Sequence, residues 1–183
     1  MLISKRNLLG TLLSLSIIGI LFFTSSESLG DPVPGGPGYF MQPASAFRPD
    51  NPSNFDLNAA YLTNLSSIAK TFYAPVSLPQ GATINKFILY YFDNAALLSV
   101  EGALGRIAFP GVSFVELAHV NSNSRIDSPA SNYVETTNIN NPVIDNQSYA
   151  YYVRVKLPAT VNVNVNGFRI DYNYPTNLPL IMK

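Results

Sequence analysis

The 183-residue sequence has no cysteine and no tryptophan, a single histidine, and few charges. Without cysteine there are no disulfides and no thiolate-bound zinc or iron–sulfur centre. A lipid-modified N-terminal cysteine is excluded for the same reason. Stability must therefore come from packing and backbone hydrogen bonding. Charged side chains make up 12% of the chain, about half the usual share. Setting aside Lys5, Arg6 and Glu27 leaves nine basic and ten acidic groups, scattered with no block of either sign. A nucleic-acid-binding face needs clustered Lys and Arg, and no cluster exists. Beyond the first 30 residues, 18 Asn together with Ser and Thr supply the polarity.

The longest hydrophobic run lies at the N-terminus. Lys5 and Arg6 precede an apolar stretch from Leu8 to Phe23, and the small polar run Thr24 to Gly30 follows. Charge, apolar stretch and small-residue exit form the pattern of a secretory signal peptide. Sixteen residues are short for a spanning helix, which needs about 20; an uncleaved anchor is the alternative. The expected location is secreted, extracellular or at the cell surface. Residues 31–38 (Asp-Pro-Val-Pro-Gly-Gly-Pro-Gly) read as a flexible spacer. The domain is expected over 39–174, with an apolar tail over 175–183.

Inside the domain the pattern is β. Strands are expected over Ile68–Val76, Thr83–Phe92, Leu97–Phe109, Val112–Val120, Asn132–Asn138 (an edge) and Tyr149–Leu157. Thr83–Phe92 is apolar on both faces from Phe87 onward and reads as a central strand. Gly102 and Gly105 suggest bulges, and Pro110-Gly111 fits a type II turn. Val161, Val163 and Val165 alternate with Asn, then Asn166-Gly167 shifts the apolar positions to Phe168, Ile170 and Tyr172. A bulge in one long strand is favoured over a hairpin turn. One turn of helix is expected within Asn58–Lys70. The fold class is an all-β antiparallel sandwich or jelly roll of seven to eight strands. Ile84, Ile88, Leu89, Tyr90, Val153, Val155, Val163 and Phe168 are the expected core.

Catalytic constellations are sparse. His119 shares a strand face with Val115 and Leu117, has no second histidine for a metal, and faces no G-x-S-x-G elbow. Glu101, Glu116 and Glu135 are the only glutamates beyond the N-terminal segment. Glu101 and Glu116 flank a hairpin and could pair as in glycoside hydrolysis, or simply face solvent. Asp50, Asn54 and Asp56 lie in an oxygen-rich stretch suited to calcium, without EF-hand spacing; an Asx-turn loop is the alternative. Tyr90, Tyr91, Tyr149, Tyr151 and Tyr152 concentrate on two strands. Of these, Tyr149, Tyr151 and Tyr152 are the candidate ligand platform, and packing is the alternative.

Two stretches carry a resemblance. One runs from Ala74 through Leu78-Pro79-Gln80-Gly81 to Leu89-Tyr90-Tyr91-Phe92-Asp93. The other is Val143-Ile144-Asp145-Asn146 to Tyr151, with Asn166-Gly167-Phe168-Arg169-Ile170-Asp171-Tyr172. With Ala46-Phe47-Arg48-Pro49 they resemble a family of uncharacterised exported bacterial proteins with one small β-sandwich domain. The resemblance carries over no functional residue, and no cofactor is expected apart from the calcium alternative. The reading is a non-catalytic interaction or structural module, with an unknown extracellular protein or glycan as partner and homo-oligomers possible. A carbohydrate-binding module and a self-assembling surface subunit using strand addition are the alternatives. A planar row of exposed Tyr would mark the first, and an open sheet edge the second.

Overall fold

The computed structural model describes residues 33–51, 54–124 and 128–176. The expected signal segment and the tail from Asn177 onward lie outside the described residues. Eleven strands follow one another: β1 (Pro37–Pro43), β2 (Arg48–Pro49), β3 (Phe55–Leu57), β4 (Leu62–Asn64), β5 (Lys70–Val76), β6 (Thr83–Asp93), β7 (Glu101–Ala108), β8 (Phe114–Asn121), β9 (Ser128–Thr136), β10 (Tyr149–Leu157) and β11 (Val163–Asn173). Eight have seven or more residues, which matches the strand number read from the sequence; the other three are short. Helix among the described residues is limited to two single 3-10 turns, Ala44–Ala46 and Ser122–Ser124. No helix among them is long and apolar enough to cross a membrane.

The strands form an antiparallel β-sandwich. One sheet runs β3-β4-β11-β6-β9, with β1 also pairing β11; the other runs β2-β5-β10-β7-β8. Alternation dictates which residues face inward. In β10, Tyr151, Val153, Val155 and Leu157 are buried, while Ala150, Tyr152 and Arg154 are half-buried and Lys156 is exposed. In β6, Phe87, Leu89 and Tyr91 fill the space between the sheets. Leu89 reaches the opposite sheet at Gly102, where an added Cβ would lie 2.8 Å from its side chain.

The parity shift in β11 is a bulge. Val165 pairs with Tyr91 and Gly167 with Tyr90, so Asn166 is the extra residue. Gly167 adopts φ +153°, and a Cβ there would lie 2.4 Å from the Gln42 carbonyl oxygen. Only glycine suits both the backbone and the close approach of β1. Further register shifts fall between Asp171 and Tyr172 in the β11–β6 pairing, between Phe92 and Asp93 in β6–β9 and between Leu104 and Gly105 in β7–β8.

Several expectations are corrected. The stretch expected to carry a helical turn holds β4 instead. Its Leu62, Thr63 and Asn64 are all buried, so there is no alternation to read. The Asn64 side chain donates to the Ile68, Leu157 and Pro158 carbonyls, a partnership visible only in three dimensions. β9 starts at Ser128, four residues early, because Ser131 and Ser128 pair with Phe92 and Asp93; it is an edge, as expected. Gly111 has no positive φ, so the type II turn is not formed. Tyr90 is half-buried rather than core, because β6 turns it to the outer face. The other seven expected core residues are buried.

The two stretches that carry the resemblance interlock at one corner. Gly81 N–H donates to Ile144 O at 2.9 Å and Ile144 N–H to Ala82 O at 2.8 Å. The Asn146 side chain donates to Leu78 O at 2.9 Å, and Asp145 N–H donates to the Tyr151 hydroxyl at 2.8 Å. The Ser148 hydroxyl, bonded to the Asp145 carboxylate, holds that carboxyl below its usual range. These residues fix a turn.

Candidate functional site

The outer face of the six-stranded sheet carries a groove built on one cross-strand row. Pro43, Gly167, Tyr90 and Tyr133 lie side by side on β1, β11, β6 and β9. Because Gly167 has no side chain, the surface drops between Pro43 and the tyrosines. The groove encloses about 690 Å³. Met41, Gln42 and Pro43 line it on β1; Tyr90 and Tyr133 line it with Ser131, Asn132 and Asn166. The tyrosine rings stand 6.4 Å apart at 54°, and Tyr133 is 46% exposed.

The polar residues of its lining carry amides and hydroxyls. Asn166 donates through Nδ2 to the Ala60 carbonyl at 2.9 Å, and its Oδ1 is buried with no hydrogen-bond partner among the described residues. Asn132 Oδ1 accepts from the Tyr133 N–H at 2.8 Å. Among the described residues, no carboxylate, ammonium, guanidinium or imidazole lines the groove. The charges of this face sit one and two rows away and pair with each other. Lys86 meets Glu135 at 3.3 Å, and Arg169 pairs with Asp171. That hydrogen-bonded carboxylate raises the Arg169 guanidinium above its ordinary value. Arg169 also covers the Tyr39 ring at 4.8 Å.

Such a surface offers ring faces for apolar C–H groups and amides for hydroxyls. Among the described residues it holds no nucleophile–base pair and no pair of carboxylates.

The sequence-derived tyrosine platform is not assembled. Tyr151 is 3% exposed, and Tyr149 packs edge-on against it at 6.5 Å beneath the Arg106 guanidinium at 3.9 Å. Tyr152 faces the other way, in register with Pro75 and Gly105. Alternation along β10 separates it from its two neighbours, so no exposed row forms. The groove uses Tyr90, which the sequence reading placed in the core, and Tyr133, which it did not single out. The available signal was β9 itself, where Val134 is buried and Tyr133 and Glu135 turn the opposite way.

Asp50, Asn54 and Asp56 are exposed. Asp56 accepts the Tyr61 hydroxyl at 2.8 Å, and this bond raises the Tyr61 pKa. The Asn54 backbone exchanges hydrogen bonds with the Ser66 hydroxyl. Asn58 Oδ1 accepts from the Ala60 and Tyr61 N–H groups, an Asx turn. No group of three or more His, Asp or Glu able to hold a metal occurs among the described residues.

Glu101, Glu116 and His119 share the outer face of the five-stranded sheet. Glu101 lies opposite Asn121 and Glu116 opposite Gly105. Each carboxylate pairs with its own cation, Lys156 at 3.7 Å and Arg154 at 3.1 Å. The structure does not join them as a glycosidase pair. Glu135 lies on the other sheet.

No family model matches the sequence, and no curated protein matches it. Among solved structures the fold is similar to Arthrobacter globiformis isomalto-dextranase complexed with panose, at TM-score 0.43 and 12% identity, over 76% of this chain and 24% of that one. This chain therefore spans about a quarter of the dextranase. It is similar to TmCBM61 in complex with β-1,4-galactotriose, at TM-score 0.34 and 12% identity, over 75% and 88% of the two chains. It is also similar to the Tobacco streak virus coat protein dimer, at TM-score 0.37 and 10% identity, over 83% and 95%.

Proposed function

We propose that this protein is an exported, non-catalytic glycan-binding module, and that the groove between β1 and the Tyr90–Tyr133 pair takes a neutral oligosaccharide. The observation that carries the reading is the lining. Two tyrosines 6.4 Å apart stand in an uncharged hollow whose lining also includes Gln42, Asn132 and Asn166. Pyranose rings present apolar C–H faces and hydroxyl edges, and this lining matches both. A charged ligand would find no partner in it. The signal-like N-terminus supports export, where such glycans are met.

Affinity electrophoresis tests the reading. The protein is run in gels containing neutral polysaccharides, beside Tyr133→Ala. Retardation by at least one neutral polysaccharide, weakened in the variant, is expected. Migration unchanged by every neutral polysaccharide contradicts the reading. Incubation with the retarding polysaccharide should release no reducing ends, and release would overturn the non-catalytic part.

The second reading is assembly by strand addition. Among the described strands the nine-residue β9 pairs with β6 and is the last of its sheet, an arrangement suited to strand addition. Light scattering across a hundredfold concentration range distinguishes it, since assembly raises the mass and glycan binding alone does not.

A further inference from the structure

The opposite outer face holds a second hollow, on the five-stranded sheet. We propose that it is a separate binding site for an oxyanion carried on a sugar-sized body, such as the carboxylate of a uronic acid or a sulfate ester.

The register builds it. Tyr73, Arg154, Ala103 and His119 lie in one row across β5, β10, β7 and β8; Thr71, Lys156 and Glu101 lie in the next. The methyl group of Ala103 makes the floor between larger neighbours, and the hollow encloses about 280 Å³. That volume suits a single sugar residue rather than a chain.

The polar groups around it are unbalanced towards donors. Arg154 spends one N–H group on Glu116 at 3.1 Å and lies 4.7 Å from the Phe114 ring centroid. Those two contacts fix the guanidinium, and its other N–H groups meet no acceptor among the described residues. The Lys156 ammonium is 3.7 Å from Glu101, too far for a hydrogen bond. The Thr71 and Tyr73 hydroxyls and the His119 imidazole make no hydrogen bond to any described residue. Glu101 is the one carboxylate in the lining; Glu116 stands one row away, beside Gly105. Each cation is held by one carboxylate and keeps N–H groups unspent, and with the Thr71 and Tyr73 hydroxyls these donors suit an oxyanion. Arginine presents paired N–H groups that match a carboxylate or sulfate edge. The Tyr73 ring supplies an apolar wall for the body of the ligand.

Titration of the exported protein with sodium glucuronate, sodium sulfate and glucose, followed by amide chemical shifts, tests the site. Glucuronate should shift Thr71, Ala103 and His119, and glucose at the same concentration should leave them in place. A response to sulfate as well supports a general oxyanion site, and a response to glucuronate alone narrows it to carboxylates. Arg154→Gln and Lys156→Gln should each weaken the response at least tenfold, while Tyr133→Ala on the other sheet should not change it. The two substitutions are made separately so that one folding failure leaves the other informative. No shift with either anion, an equal shift with glucose, or full affinity in both variants would overturn the proposal. None of these results bears on the neutral groove, which has its own variant.

Discussion

The groove and the hollow are made by the same device and filled with opposite chemistry. In each, a row of four cross-strand residues contains one small member between large ones: Gly167 beside Tyr90, and Ala103 beside Arg154. Around the glycine the lining is aromatic and amide; around the alanine it is cationic and hydroxylic. The difference lies in where the ion pairs sit. On the six-stranded sheet the cations face their own carboxylates in rows outside the groove. On the five-stranded sheet Arg154 and Lys156 line the hollow, and their partners leave part of each cation's donor set free. A sandwich without cysteine or tryptophan thus forms a concave surface on each outer face from residue size and register.

Removing the support common to both faces should have the largest effect. Leu89 is fully buried and reaches across to Gly102. Leu89→Ala should cost roughly 2–5 kcal/mol, measured by urea unfolding, and should weaken both sites together. A cost under about 0.5 kcal/mol, typical of surface positions, would show that the sheets do not depend on this contact.

Breaking one face alone comes next. Gly167→Ala places a Cβ 2.4 Å from the Gln42 carbonyl, at φ +153°. It should cost about 1–3 kcal/mol, displace β1 and abolish neutral-glycan retardation while the anion response survives. Equal damage to both sites would mean that the two faces are not independent.

The smallest effect lies between the faces, at Tyr172. Burial, with a further contribution from the Tyr174 hydroxyl, pushes its phenol from 10.0 up to about 12. The folded chain therefore holds a proton that the unfolded chain releases near 10. The stability this contributes is complete below about pH 10 and is lost as pH rises towards about 12. Tyr172→Phe should flatten that alkaline decline in melting temperature, with binding at both faces unchanged at neutral pH. An identical decline in both proteins would remove Tyr172 from the account.

Legibility in the sequence followed periodicity. β10 alternates along its nine residues and β11 on either side of its bulge, and the parity shift at Asn166-Gly167 marks that bulge, the floor of the groove. Where strands are two or three residues long, as in β2, β3 and β4, no period exists to be seen and partner strands decide the conformation. The groove was legible in part. Tyr90 stood out as a tyrosine, but apolar residues on both faces of β6 pointed to a core role. Its partnership with Tyr133 depends on the β6–β9 register, which no local pattern carries. Tyr149 and Tyr151 drew attention by proximity, yet alternation put them between the sheets.

The most direct measurement is amide chemical-shift mapping with a neutral oligosaccharide prepared from whichever polysaccharide retards the protein. The account predicts shifts at Met41, Gln42, Asn132, Tyr133, Asn166 and Gly167, silence at Thr71, Ala103 and His119, and affinity reduced roughly two- to tenfold in Tyr133→Ala. Shifts centred on the five-stranded sheet, or binding untouched by the loss of the Tyr133 ring, would contradict it.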